Sequence, residues 1–227
     1  MVKTKAFLLN AISALYLLTT PVLSLAAENG TGVYLLGSKD RQMAVFRSQG
    51  IFLRSDFSYM SGTFYGITLQ GHKFESIKNW VAVSNTTMNY YSGRRLLGGT
   101  YMASMEFRIV SNELTLVPEV PNGITKHNES KIGLGDLKVT PIAIGWNNRS
   151  NFHYSAGLSF YFPTGNYDKE QFCNTNSNHI AISPEFAMTY YNEFSRTDIS
   201  ASTGLIYNFK NPETSIQSGP EWQMEYA

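Results

Sequence analysis

Residues 152–162 read Phe152-His153-Tyr154-Ser155-Ala156-Gly157-Leu158-Ser159-Phe160-Tyr161-Phe162. Phe152, Tyr154, Ala156, Leu158, Phe160 and Phe162 alternate with His153, Ser155, Gly157, Ser159 and Tyr161. Side chains on a strand point to opposite faces in turn. This period of two therefore builds one apolar face, aromatic at both ends, and a second face that is mostly polar or small.

The same alternation recurs along the chain. Ile180, Ile182, Pro184, Phe186, Met188 and Tyr190 oppose Ala181, Ser183, Glu185, Ala187 and Thr189. Ile199, Ala201, Leu205, Tyr207 and Phe209 oppose Asp198, Ser200, Ser202, Gly204 and Asn208, with Ile206 out of pattern. Tyr101, Ala103, Met105, Phe107 and Ile109 oppose Thr100, Ser104, Glu106 and Arg108, with Met102 the exception. Ile51, Leu53, Phe57 and Tyr59 oppose Arg54, Asp56 and Ser58, although Phe52 and Ser55 break the rule; Trp222, Met224 and Tyr226 oppose Glu221, Gln223 and Glu225. Weaker segments at 63–71, 78–91, 112–120 and 134–146 bring the expected total to about ten strands. Ser92-Gly93, Ser111-Asn112, Pro121-Asn122-Gly123, Asn147-Asn148 and Asn211-Pro212 supply turn chemistry between them.

Ahead of the strands, Lys3 and Lys5 precede a mostly apolar run from Ala6 to Leu23, and Ser24-Leu25-Ala26 offers small residues for a cut. This predicts a cleaved signal over residues 1–26 and one domain over 27–227. No later segment has 18 uninterrupted apolar residues, so helical membrane spans are not expected after the signal, whereas barrel strands need only about 9–11 alternating residues. The 18 Lys and Arg stand against 17 Asp and Glu. Removing the two leader lysines leaves no basic surplus to attract nucleic acid.

Two folds share this pattern: a soluble β-protein with its apolar faces turned inward, and a membrane barrel with them turned outward. Three features favour the barrel. Aromatic rings sit near the strand ends, as at Trp80, Tyr90, Trp146, Phe152, Phe162 and Tyr190. Charges of both signs share the polar face, Arg54 with Asp56 and Glu106 with Arg108, which a wet interior tolerates and a dry core does not. The expected strands also exceed the usual five or six residues of a soluble sheet. The expected fold is an all-β, antiparallel up-and-down transmembrane β-barrel.

An ordered set of short motifs sharpens this. Gly133-Leu134-Gly135-Asp136 is followed by Pro141 and Trp146, Phe162-Pro163-Thr164-Gly165-Asn166-Tyr167, Pro184, Thr189-Tyr190, and Tyr207-Asn208-Phe209-Lys210-Asn211 with Thr214 and Ser218-Gly219. Together they resemble the outer-membrane family named for the meta-pathway of phenol degradation, from about Gly30 to the last residue. The resemblance implies a bacterial outer-membrane channel or transporter that admits small aromatic or other apolar compounds, with outer-membrane lipid around it. No catalytic residue or cofactor travels with it. It also implies a chain shorter than the family's full barrel, since members continue with further strands past the segment matching Glu221 to Ala227.

Arg54, Asp56, Glu106, Arg108, His153, Glu185, Asp198 and Glu225 are the residues expected to line or plug the lumen, mutually paired. His72, His127, His153 and His179 have no ligand spacing for a metal. Cys173, in a polar loop, reads as an unpaired surface thiol. Two other classes stay open. One is a structural or adhesive barrel presenting loops 73–78, 122–131 and 166–178 to external partners. The other is a secreted soluble β-protein, in which Asn29, Asn85, Asn128 and Asn148 would accept glycans.

Overall fold

The computed structural model describes residues 32–35, 37–39, 41–69, 72–119, 126–147 and 151–227. The expected leader, the Pro121-Asn122-Gly123 turn and Asn148 lie outside them. Among the described residues nine strands follow one another: β1 (Gly50–Leu69), β2 (His72–Leu96), β3 (Gly99–Pro118), β4 (His127–Leu134), β5 (Leu137–Asn147), β6 (Phe152–Phe162), β7 (Ala181–Asn192), β8 (Thr197–Asn208) and β9 (Glu221–Tyr226). They form one antiparallel sheet in the order β1-β2-β3-β5-β6-β7-β8-β9, with β4 also paired to β3. The sheet is strongly curled into a half-barrel.

β4 and β5 share one position in the sheet. β5 pairs with Thr100–Glu106 of β3, and β4 with Ile109–Leu116. The break falls at Gly135-Asp136, where the Gly135 N–H donates to the Arg108 carbonyl at 3.0 Å. A Cβ on Gly135 would meet the Val110 and Arg108 side chains at 3.0 and 3.2 Å, so a residue without one lets the chain approach closely here.

Burial is inverted relative to a soluble protein. Ile51, Leu53, Phe57 and Tyr59 of β1, Phe107 and Ile109 of β3, Phe186 and Met188 of β7, and Trp222, Met224 and Tyr226 of β9 are exposed. Ser183, Thr189, Ser200, Ser202, Asn208, Gln223 and Glu225, which alternate with such residues, are buried. Water does not support an apolar surface of this extent. Hydrocarbon does, and the polar face is the inside.

Three expectations are corrected by the strand boundaries. The stretches at 51–59 and 63–71 are a single strand, β1. Ser111-Asn112 is not a turn but lies in the middle of β3, where Asn112 faces inward and donates to the Asn174 carbonyl at 3.3 Å. Ser92-Gly93 falls at a register shift within β2, and the turn is Leu97-Gly98, with φ of 49° and 78°. Left-handed conformation at both central residues matches the twist of a tight hairpin, but leucine gives no warning of it.

Candidate functional site: the concave face and what fills it

Two pieces of irregular chain occupy the concave face. The first is the segment 32–47. The Gly37 and Lys39 N–H groups donate to the Glu225 carboxylate of β9 at 2.8 and 3.1 Å, while the Ser38 carbonyl accepts from Arg54 of β1. One tripeptide thus touches both edge strands, which shows how far the sheet curls. Further along, the Gln42 N–H donates to the Ser200 hydroxyl and the Ala44 N–H to the Thr189 hydroxyl, both at 3.0 Å. Asn147 holds Phe46 from both sides, donating to its carbonyl at 2.8 Å and accepting from its N–H at 3.3 Å. An extended segment away from water needs a partner for each backbone group. The Ser, Thr, Asn and Glu side chains of the inner face provide several.

The charged residues singled out in the sequence sort around this segment. Glu185 is bridged by Lys39 at 2.8 Å and by Lys138 at 2.6 Å, all three largely buried. Arg108 forks onto Glu106 at 2.5 and 2.9 Å and donates to the Val33 carbonyl at 2.7 Å. Glu225 also accepts from the Tyr34 hydroxyl at 2.8 Å. Burial pushes that hydroxyl well above the usual tyrosine range, and the Glu225 charge acts in the same direction. Arg54 pairs with Asp56 at 2.8 Å in a more exposed position. Asp198 accepts from the Ser200 hydroxyl at 2.9 Å. His153, half-buried in β6 opposite Asn147 and Thr189, stands apart from the ion pairs among the described residues.

Sequence reasoning missed Tyr34, Lys39, Lys138 and the whole inner segment, yet a signal was present. The apolar residues that broke the alternation are the ones that meet this segment. Phe52 and Met102 pack against Phe46, Tyr91 and Ala143. Ile206 packs with Val33, Tyr161 and Ala181. An apolar side chain on a polar inner face marks a point where something apolar is docked.

The rings at the first cluster meet edge to face, Phe46 with Tyr91 at 5.5 Å and Phe52 with Tyr91 at 5.6 Å, and the Arg47 guanidinium lies 5.3 Å from the Phe52 ring centre. Gly145 faces Phe46, and a Cβ there would collide with the ring. Between this cluster and the Lys138–Glu185 pair, the segment leaves a cavity of about 580 Å³ against the inner faces of β1–β3 and β5–β7.

The second occupant is the loop 163–180, at the opposite end of the concave face. Phe172 meets Phe74 edge to face at 5.5 Å, and Cys173 is buried with Phe74, Ile77, Leu114 and Leu116. This corrects the reading of Cys173 as a surface thiol: a polar loop has turned inward. Its Sγ donates to the Asn112 carbonyl at 3.3 Å, and burial, reinforced by the Glu129 charge, pushes the thiol up to about 11. The external loops that an adhesive barrel would present are also corrected. Residues 73–78 belong to β2, 127–131 to β4, and 166–178 fold inward. Asn85, a candidate glycan acceptor of the soluble reading, is buried.

Residues 68–227 match the family model described as "Putative MetA-pathway of phenol degradation". Among solved structures, the fold is similar to an outer membrane channel from Pseudomonas putida F1, with a TM-score of 0.60 and 15% identity over 83% of this chain and 69% of that one. No curated protein matches the chain.

Proposed function

The chain belongs to the family of the Putative MetA-pathway of phenol degradation, and from that premise we propose that it serves in the bacterial outer membrane as a channel admitting small apolar or aromatic compounds. The observation that carries this reading is the inverted sheet with an aromatic-ended cavity inside it. The convex face suits lipid, and the concave face offers a small solute a 580 Å³ space, within the range of ligand pockets. Phe46, Phe52 and Tyr91 supply ring edges and faces for an aromatic guest. The described residues of segment 32–47 occupy part of the concave face beside this cavity. Passage favours compounds whose ring exchanges water for contacts with these side chains. Charged side chains of the inner face hold the segment.

The chain is expressed with its leader, the envelope is fractionated, and the protein is run on a gel with and without boiling. An outer-membrane product with heat-modifiable migration is expected, and a soluble periplasmic product with unchanged migration removes the proposal. Liposomes carrying the chain should then pass benzyl alcohol faster than empty ones. Equal rates leave a barrel without transport.

A further inference from the structure

Resting on the channel reading, we propose that the cavity prefers organic anions, selecting an aromatic ring that carries a carboxylate over the neutral or cationic ring of the same size. The charge of the wall carries this. Among the described residues, Lys39, Arg41, Arg47, Arg54 and Lys138 line the cavity, against Glu106 and Glu185. Both carboxylates are already engaged: Glu185 lies between two lysines, and Glu106 is held by Arg108. Arg54 has its own partner in Asp56. Glu225 lies against the segment's backbone at Gly37 and Lys39 rather than on the cavity wall. Arg41 aside, the described lining still sets two lysines against the single Glu185 and adds Arg47.

Arg47 decides where the anion goes. Its guanidinium lies over the Phe52 ring, and among the described residues no carboxylate forms an ion pair with it. A stacked guanidinium still presents its N–H edge, and that edge takes a carboxylate through two parallel hydrogen bonds. The ring of the same ligand then lies beside Phe46, Phe52 and Tyr91, whose edge-to-face geometry accepts another aromatic ring. A cation at this position meets Arg47 and Arg54, with no free carboxylate among the described lining residues. A neutral alcohol keeps the ring contacts but loses the charge-assisted bonds.

Three probes with one ring and three head groups test this on the full-length protein in detergent micelles: benzoate, benzyl alcohol and benzylamine, titrated by calorimetry. Benzoate is expected to bind at least tenfold more tightly than the other two, with Arg47→Gln erasing that preference while benzyl alcohol binding holds. Retained benzyl alcohol affinity and heat-modifiable migration show that the variant is folded. Equal affinity for the three probes, tighter benzylamine binding, no binding of any probe, or a benzoate preference that survives Arg47→Gln overturns the anion site. Flux separates this from the channel itself. Passage of benzyl alcohol with no benzoate preference sinks the inference and leaves the channel, whereas no flux of any probe sinks the channel.

Discussion

The two occupants of the concave face are held by different physics. The segment 32–47 depends on the sheet: its backbone groups bond to Glu225, Ser200, Thr189 and Asn147, and Lys39 pairs with Glu185. The loop 163–180 partly supplies its own partners. Asn174 donates to the Asp168 and Gln171 carbonyls at 2.9 and 3.1 Å, and Asn176 donates to the Gly165 carbonyl at 2.8 Å. Its attachment to the sheet is an apolar cluster around Leu116, ringed by hydrogen bonds: Asn112 and Lys131 donate to Asn174, and Glu129 and Asp136 accept from the Cys173 and Ser177 N–H groups. The loop is thus built as a seated unit, and the segment as a strand of chain that the sheet must grip. Losing a charge should release the segment and spare the loop, and opening a cavity should do the reverse.

Glu185→Gln tests the first half with the largest effect. It leaves Lys39 and Lys138 without their shared carboxylate in a nearly enclosed site, and stranding a buried charge costs about 3–5 kcal/mol. Unfolding by guanidinium in micelles should shift by that order, and limited proteolysis should cut within residues 32–47 while loop 163–180 stays intact. An unchanged midpoint and an uncut segment would show that the grip is not electrostatic.

Leu116→Ala tests the other half. Leu116 is 1% exposed, and a leucine truncated in such a cluster loses about 2–5 kcal/mol through lost burial and the cavity left behind. Cys173 reports the outcome. With its thiol raised to about 11 and buried, it should resist maleimide at neutral pH in the parent and react readily in the variant, with the segment still protected. The pH dependence has a definite sign. A free loop loses the thiol proton near 9 and the seated loop only near 11, so the seating energy is intact below 9 and falls as pH rises from 9 through 11. Equal labelling of parent and variant would mean that the cluster does not seat the loop.

The outward half of the fold was legible because lipid imposes a simple rule, apolar at every second position, and β6 follows it without interruption from Phe152 to Phe162. The inward half was less legible because its residues answer to two masters. Asn112 reads as a turn former, but on an inner face an amide at alternate positions serves a docked loop instead. Pairing of neighbours two apart, Arg54 with Asp56 and Glu106 with Arg108, follows from their shared face. Glu185 with Lys39 is separated by 146 positions, and only the path of the segment brings the two together. What the alternation did record of that path was its own violations, Phe52, Met102 and Ile206.

Gly145→Val narrows the comparison to one contact. The added side chain would occupy the place of the Phe46 ring, so Phe46 must leave its cluster, and forced overpacking of this kind costs about 1–3 kcal/mol. The expected result is a partial release confined to residues near Phe46, seen as faster hydrogen exchange there, with the Lys39–Glu185 end still protected. Uniform loss of protection along 32–47 would instead make the segment one cooperative unit.

The smallest effect belongs to Asp56→Asn. Its pair with Arg54 has side chains 43% and 39% exposed, so water and salt already screen it, and such pairs contribute about 0–1 kcal/mol. Arg54 keeps its bond to the Ser38 carbonyl whether or not Asp56 is charged, so the segment should remain gripped at β1. The variant should melt within about 1 kcal/mol of the parent, and whatever difference exists should vanish at about 1 M salt, where screening acts within roughly 3 Å. The Glu185 site, closed to solvent on most sides, should keep its stabilisation under the same salt. A loss at Asp56 comparable to that of Glu185→Gln would mean that the β1 edge is as enclosed as the centre of the concave face, and the exposed pair would then belong with the buried grip.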